Sequence, residues 1–364
     1  MTARWLEMVK DVVFPDRETH AIPMMDGPLR PNGALDECTV LGDSPQMSQP
    51  DDLTFTSDGT LLASSGNKVF RADGEVAAQF DGLVTGIAAL ANGGLAACVD
   101  GIGVVLDNGQ RLESVDGSPL SCLTAVLAGP DNVLFIAQGS SKHNAPDWVR
   151  DLMEKNASGR VIRWDLNTDT AETLIDDLAY PYGLALDHDG KSLLVTESWS
   201  HVLFKLPLNV PAGQGRREIV IPNMPGYPAR ITSSDDGGYW MCLFAMRPEM
   251  LEFVLEEDAY TEQMMKTVDP AYWVRPTLRA DRHFLEPLQG GGFRVLGIIK
   301  PWAPPRSYGL VVQLDEDYEV VRSLHSRADG RRHGVTGIAA YGGLVAAAVK
   351  GDDKIIRIVE EGQL

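Results

Sequence analysis

Basic residues are under-represented in this chain. Lys and Arg number 32 against 51 Asp and Glu, a formal net charge of −19. A surface this acidic repels phosphate backbones and anionic headgroups, so nucleic acid and membrane are disfavoured as partners and a small molecule is left. Solubility is the plain consequence of the charge. Cysteine is sparse too. Cys38, Cys98, Cys122 and Cys242 form no CxxC pair, and three of them sit in apolar runs, which predicts small buried hydrophobes in a reducing, cytoplasmic compartment. No stretch approaches the roughly 18 apolar residues of a membrane span. Met1 to Phe14 is interrupted by Arg4, Glu7, Lys10 and Asp11, which predicts no signal peptide. His283, His325 and His333 show no HxxxH or HxH spacing, so zinc has no support. A GxSxG elbow and a GxxxxGK[ST] loop are also missing, although a Ser-His-Asp set assembles in space and spacing does not exclude it. At 44% hydrophobic and 23% charged residues the composition is that of a globular protein.

What the chain does have is a repeat. Asp51-Asp52-Leu53-Thr54-Phe55 leads through the turn Asp58-Gly59 into Leu61-Leu62-Ala63, a β-hairpin pattern. It returns at Thr85 to Ala96 and at Thr124 to Ala137. Later copies run from Tyr182 to Glu197, from Arg230 to Trp240 and from Thr336 to Val345. Six copies spaced by about 35 to 60 residues, with one longer gap, predict the blades of a β-propeller. Lys68-Val69-Phe70-Arg71-Ala72 and Arg160-Val161-Ile162-Arg163-Trp164 are candidate third strands. Thr39-Val40-Leu41, paired beside Ile355-Ile356-Arg357-Ile358, would close the ring and leave no open edge. Three segments break the pattern: an amphipathic helix over residues 2 to 14, a helix over 146 to 156 opened by Pro146, and the insertion that starts near Met246. The expectation is an all-β, six-bladed β-propeller over residues 1–364 as one domain. Residues 1–30 form an N-terminal helix and arm, and helical insertions at 145–156 and 246–285 either cover one mouth of the channel or pack on the rim.

Several runs resemble one family. Tyr182-Gly183-Leu184-Ala185-Leu186-Asp187-His188-Asp189-Gly190 through Glu197 is similar to its "NG-apolar-ALS-DG-LYVAE" signature. Gly159 to Asp165 resembles "GRLLRYD", Pro225-Gly226-Tyr227-Pro228 with Asp236 to Trp240 resembles "PGYPDNI…DGGFW", and Tyr308 to Asp315 resembles "YGVVLRLDE". The family is the strictosidine-synthase-like group, related to gluconolactonases and paraoxonases, and the resemblance implies a six-bladed propeller. It also implies a divalent cation, usually calcium, on the axis, because a hard cation gathers several oxygen ligands and then polarises an ester oxygen and activates water. The positions matching those ligands are Asp51 or Asp52, Thr124, Tyr182 and Ala229-Arg230. One carboxylate, one hydroxyl, one phenol and one guanidinium do not make a calcium site, and a fixed guanidinium repels a metal. No metal and no cofactor are expected. The acid–base Glu of the plant synthase falls on Thr336, which puts that condensation in doubt.

The repeat register places Asp51, Thr85, Thr124, Tyr182, Ala229-Arg230 and Thr336 at one mouth of the channel, a polar ring between apolar walls. Two roles are open to Arg230. In one its guanidinium replaces the lost cation, pairs with Asp51 or Asp52 and stabilises an oxyanion. In the other it is a structural ion pair that closes the channel. Tyr182 is either a proton donor or a channel-filling ring. Arg230, Tyr182 and Asp51 are the catalytic candidates. Asp52, Thr85, Thr124, Thr336, Trp199, His143 in its pre-helix loop, and Arg247 and Trp302 flanking the large insertion are substrate-side candidates. Arg306 stands beside Trp302, and rim packing is the other reading of this group. His201 fits a structural hydrogen bond better than catalysis. Three functions follow: a metal-independent hydrolase of ester or lactone type, a strictosidine-synthase-like lyase or condensing enzyme, and a non-catalytic binding propeller. Oligomeric state is not legible.

Overall fold

The computed structural model describes residues 22–235, 237–279, 294–295, 298–300 and 306–358. Alternating apolar strands separated by Asp-Gly, Asn-Gly and Gly-Gly turns build six four-stranded antiparallel sheets. Their innermost strands are Leu53–Phe55, Val84–Ala89, Leu123–Ala128, Pro181–Leu186, Gly226–Ser233 and Val335–Tyr341. Each touches the next and the sixth touches the first, so the sheets form a closed ring. The closing strand is Thr39–Gly42, which pairs with Lys354–Arg357 of the last blade with Thr39 opposite Arg357 and Val40 opposite Ile356. The N-terminal segment thus covers the edge the last blade would expose, as the sequence predicts. The core is divided the same way. Among the described residues six hydrophobic clusters lie one at each blade interface, the largest between the fifth and sixth blades.

Topology decides which mouth carries the insertions. In an antiparallel blade the loop from second to third strand returns to the face where the innermost strand begins. Residues 139–158 interrupt the third blade at that point, with a helix at Trp148–Met153. The long segment after Met246 does the same in the fifth, with helices at Glu249–Glu256 and Asp258–Thr267. Leu251, Val254, Met264 and Trp273 join the cluster that also holds Trp148, Tyr182 and Trp199. The expected helix at residues 2 to 14 lies outside the described residues.

Close approach near the axis explains the Thr-Gly and Tyr-Gly pairs that open the inner strands. A Cβ on Gly183 would stand 2.5 Å from the Ala229 carbonyl and 2.6 Å from the Arg230 Cα. Gly183→Ala is expected to cost about 1–3 kcal/mol through overpacking. Gly93→Ala, in a turn with φ +86° and nothing within 4 Å, should cost only the ~1 kcal/mol of the left-handed conformation. Equilibrium denaturation of the two variants decides the matter, and equal losses would refute the close-approach argument.

Candidate functional site at the axial mouth

In five blades the pairing of first and second strands shifts register at the same place. The residues involved are Thr85, Thr124, Tyr182-Gly183, Ala229-Arg230 and Thr336. Bulges of this kind take a residue out of the ladder and re-aim it, and its carbonyl then needs another donor. Arg230 is that donor for three of the five, Thr85, Thr124 and Thr336. Its Nη1 donates to the carbonyls of Asp51 and Thr336, 3.0 Å each, and its Nη2 to those of Thr124, at 2.6 Å, and Thr85. Nη1 also lies 3.4 Å from Asp51 Oδ1. Nε stands 3.0 Å from Asp52 Oδ1 without an aligned hydrogen bond, so that contact is an ion pair only. The Tyr182 ring centroid is 5.1 Å from the guanidinium carbon. Burial opposes the charge on Arg230, but Asp52 and Asp51 outweigh it and hold the guanidinium protonated.

The two carboxylates divide between the two mouths. Asp51 lines a cavity of about 460 Å³ on the face that carries the insertions. Burial would raise its pKa, but Lys350, 2.8 Å away through Nζ, and Arg230 hold it below the usual carboxylate range. Asp52 faces the opposite mouth, where a smaller cavity of about 230 Å³ opens. It accepts from the Leu53 and Ile87 amides, 2.9 Å each, and stitches the first blade to the second. Burial pushes its pKa up to about 6, against Arg230 and those amides. The folded chain therefore binds more protons than the unfolded chain between pH 3.8 and about 6. The contribution of Asp52 to stability is present at low pH and lost as pH rises through that window, on the order of 2–3 kcal/mol. Asp51 acts in the opposite sense, its contribution vanishing as pH falls below 3.8. Asp52→Asn is expected to flatten the limb between pH 4 and 6 in denaturation series. An unchanged limb would refute the assignment.

The cavity above Arg230 is walled by rings. Tyr180 stacks on Trp199 at 4.3 Å, Trp148 meets Phe244 edge-on at 5.5 Å, and Tyr182 stands 5.8 Å from Phe244. Trp148, Ala145 and Pro146 come from the first insertion and Leu278 from the segment after the second, so both insertions reach the wall. Asp151, on the insertion helix, accepts from Trp199 Nε1 at 2.8 Å and fixes that ring. Tyr180 is held at φ +61°, a strained backbone state for a bulky residue and one that concentrates at functional sites. Tyr182 is half-buried, and burial together with Asp51 raises its pKa well above the ordinary value, so its hydroxyl stays protonated.

Of the expected site residues, Arg230, Tyr182, Asp51, Thr85, Thr124 and Trp199 meet at this cavity. Thr336 stands just behind it and donates to the Asp51 carbonyl at 2.9 Å. Three expectations are corrected. Asp52 belongs to the other mouth because the alternation of the strand turns it away from Asp51. His143 pairs with Glu154 at 2.7 Å, outside the cavity lining. Arg247 is drawn into the base of the large insertion, where it binds Glu252 at 2.7 Å and Asn223 at 2.6 Å. Arg306 is buried and donates to the Ala271 carbonyl at 3.0 Å, which is rim packing. Trp302 lies outside the described residues. His201 packs against Tyr227 at 4.7 Å, and burial lowers its pKa so that it stays neutral. Sequence reasoning missed Lys350, Tyr180, Trp148 and Phe244. Lys350 follows the second strand of the sixth blade, and that topological position was the available signal.

The site and fold define a closed six-bladed propeller with a ring-walled cavity at one axial mouth. The strictosidine synthase family profile matches residues 126–206. Among curated relatives, the Adipocyte plasma membrane-associated protein of Danio rerio is 28% identical over 196 residues, 53% of this chain and 40% of that protein. Strictosidine Synthase-Like 6 of Arabidopsis thaliana is 30% identical over 131 residues, 36% of this chain and 34% of that protein. The chain thus spans less than half the length of these relatives. Among solved structures, a gluconolactonase from Xanthomonas campestris has a TM-score of 0.57 at 13% identity, covering 87% of each chain. The calcium-binding protein regucalcin from Agrobacterium tumefaciens has a TM-score of 0.55 at 14% identity, covering 88% of this chain and 92% of that one. The chain is similar in sequence to strictosidine-synthase-like proteins over part of its length, and it shares the propeller fold of these solved structures.

The residues on the axis do not fit the divalent cation that the resemblance implies. The guanidinium of Arg230 occupies the point where the ring of carbonyls converges. Among the described residues no three His, Cys, Asp or Glu side chains cluster as metal ligands. No described helix is long and apolar enough to cross a membrane.

Proposed function

We propose that the chain is a small-molecule enzyme of hydrolase type, acting on an ester or lactone in the cavity above Arg230 and working without a metal. The observation that carries this reading is the cavity itself. Its volume falls in the range of ligand sites, and a carboxylate, an ammonium and a protonated phenol converge on it between apolar rings. Tyr182 is the hydrogen-bond donor to the carbonyl oxygen, whose developing negative charge it stabilises. Asp51, ionised at neutral pH, orients the attacking water. Arg230 contributes its field only, because its donors are already directed at the carbonyl ring. Its role is therefore narrower than the direct electrophile the sequence suggests. The test is a panel of lactones and esters assayed with and without chelator. Turnover that survives chelation supports the reading, and activity that needs added calcium would overturn its metal-free part.

A second reading has one observation in its favour. Lys350, Arg230 and Thr336 all hold Asp51 in its ionised form, which leaves a weak base. A propeller that binds a small molecule without transforming it fits that feature, and it predicts saturable ligand binding with no turnover across the panel. Cys98, Cys122 and Cys242, buried and outside any disulfide, support a reducing, cytoplasmic compartment.

A further inference from the structure

Lys350 is the cation of the cavity wall whose donors are not spent. An ammonium carries three N–H groups, and among the described residues it has one acceptor, Asp51 Oδ2 at 2.8 Å. Arg230 is the reverse case, with both terminal nitrogens on backbone carbonyls. The Tyr182 hydroxyl, in the same lining, also has no acceptor among the described residues. Two further donors of the wall are committed: Trp199 Nε1 donates to Asp151, and the Thr124 hydroxyl to the Pro181 carbonyl at 2.7 Å. Charge adds direction. On this side of the axis stand Arg230 and Lys350 against Asp51, since Asp52 lines the other mouth. Arg230 also lines that other mouth and pairs with Asp52 there, which leaves Lys350 as the cation that faces this cavity with donors to spare.

An ammonium with donors to spare, a phenol hydroxyl beside it and a wall of flat rings specify an anionic oxygen acceptor on a planar apolar body. We propose that the cavity binds aromatic carboxylates, with Lys350 Nζ and Tyr182 Oη holding the carboxylate and the Trp148, Tyr180 and Trp199 rings packing against the aromatic part. Lys350 is then the residue that selects an anion over a neutral or cationic ligand. The inference rests on the reading of this cavity as the ligand site, and it deepens that reading, because a carboxylate is what ester or lactone hydrolysis leaves behind.

The test is isothermal titration of the full chain with three probes of one ring system: 2-naphthoate, neutral 2-naphthamide and cationic 2-naphthylmethylamine. The expected order is naphthoate tightest, by about tenfold or more over the amide, the size of one hydrogen bond to a charged group. The amine should be weakest. Lys350→Met is expected to lose about that tenfold for naphthoate while leaving naphthamide unchanged, and Lys350→Arg to retain most of it. The wild-type series needs no variant, so a Lys350→Met chain that fails to fold does not shelter the proposal. Equal affinity for all three probes would overturn the role of Lys350 and leave the cavity standing as a ligand site. No binding of any probe at millimolar concentration would overturn both.

Discussion

Replacing Arg230 with methionine is expected to cost roughly 3–5 kcal/mol of folding stability, the range for removing one partner of a buried ion pair. The residue is 5% exposed. Its loss leaves Asp52 without its cation, leaves Asp51 with Lys350 alone, and strands four carbonyls drawn from the first, second, third and sixth blades. Arg230→Lys should recover little, because a compact ammonium with three donors does not span carbonyls that a planar fork reaches together. The deficit has a sign in pH. Without the guanidinium the folded-state pKa values of Asp51 and Asp52 both rise, so the folded variant binds extra protons and loses stability as pH increases. Thermal and denaturant unfolding at pH 5 and pH 8 measure this, with the larger loss expected at pH 8. A loss under about 1 kcal/mol, with no pH dependence, would show that the ring of carbonyls does not depend on Arg230. Chelator should leave the wild-type unfolding midpoint unchanged, since the axial charge is part of the chain.

The second large effect is expected at Tyr182. Tyr182→Phe keeps the ring against Phe244 and over the guanidinium and removes only the hydroxyl. If that hydroxyl meets the developing oxyanion, kcat falls by about 10²–10³-fold, the measured range for loss of one such donor. KM should change less, because the aromatic wall is intact. The phenol is held protonated well above its ordinary pKa, so the wild-type rate should show no loss from its ionisation up to pH 10. A variant with unchanged kcat would remove Tyr182 from the chemistry and move the weight to binding without turnover. Product analysis on the same panel separates bond hydrolysis from the carbon–carbon or carbon–nitrogen bond chemistry of a lyase.

Most of the ring was legible because its signals are local. Asp58-Gly59, Asn92-Gly93 and Asp189-Gly190 mark turns by conformational need, and Leu61–Ser65 or Ser192–Glu197 mark strands by apolar runs. Thr39–Gly42 was legible as the closing strand because an unpaired edge needs a partner. The inward-facing set was legible as well, since Thr85, Thr124, Tyr182, Arg230 and Thr336 share one place in the repeat. His143 and Arg247 misled for a common reason. Each is a polar residue beside an insertion, and a neighbouring acid, Glu154 or Glu252, takes it out of the cavity. Sequence spacing does not reveal which of several nearby acids a basic group will choose.

The sequence by itself determined the number of blades, the closure of the ring and the identity of the residues at the axis, because strand alternation, turn glycines and repeat register are short-range properties. Only the tertiary structure decided what those residues are free to do. The donors of Arg230 are claimed by carbonyls more than a hundred positions away in the chain. Asp51 and Asp52, adjacent in sequence, face opposite mouths. Lys350 reaches Asp51 across 299 positions. Hydrogen bonds are spent in space, and the donors left unspent at a site are set by the whole fold rather than by any one motif.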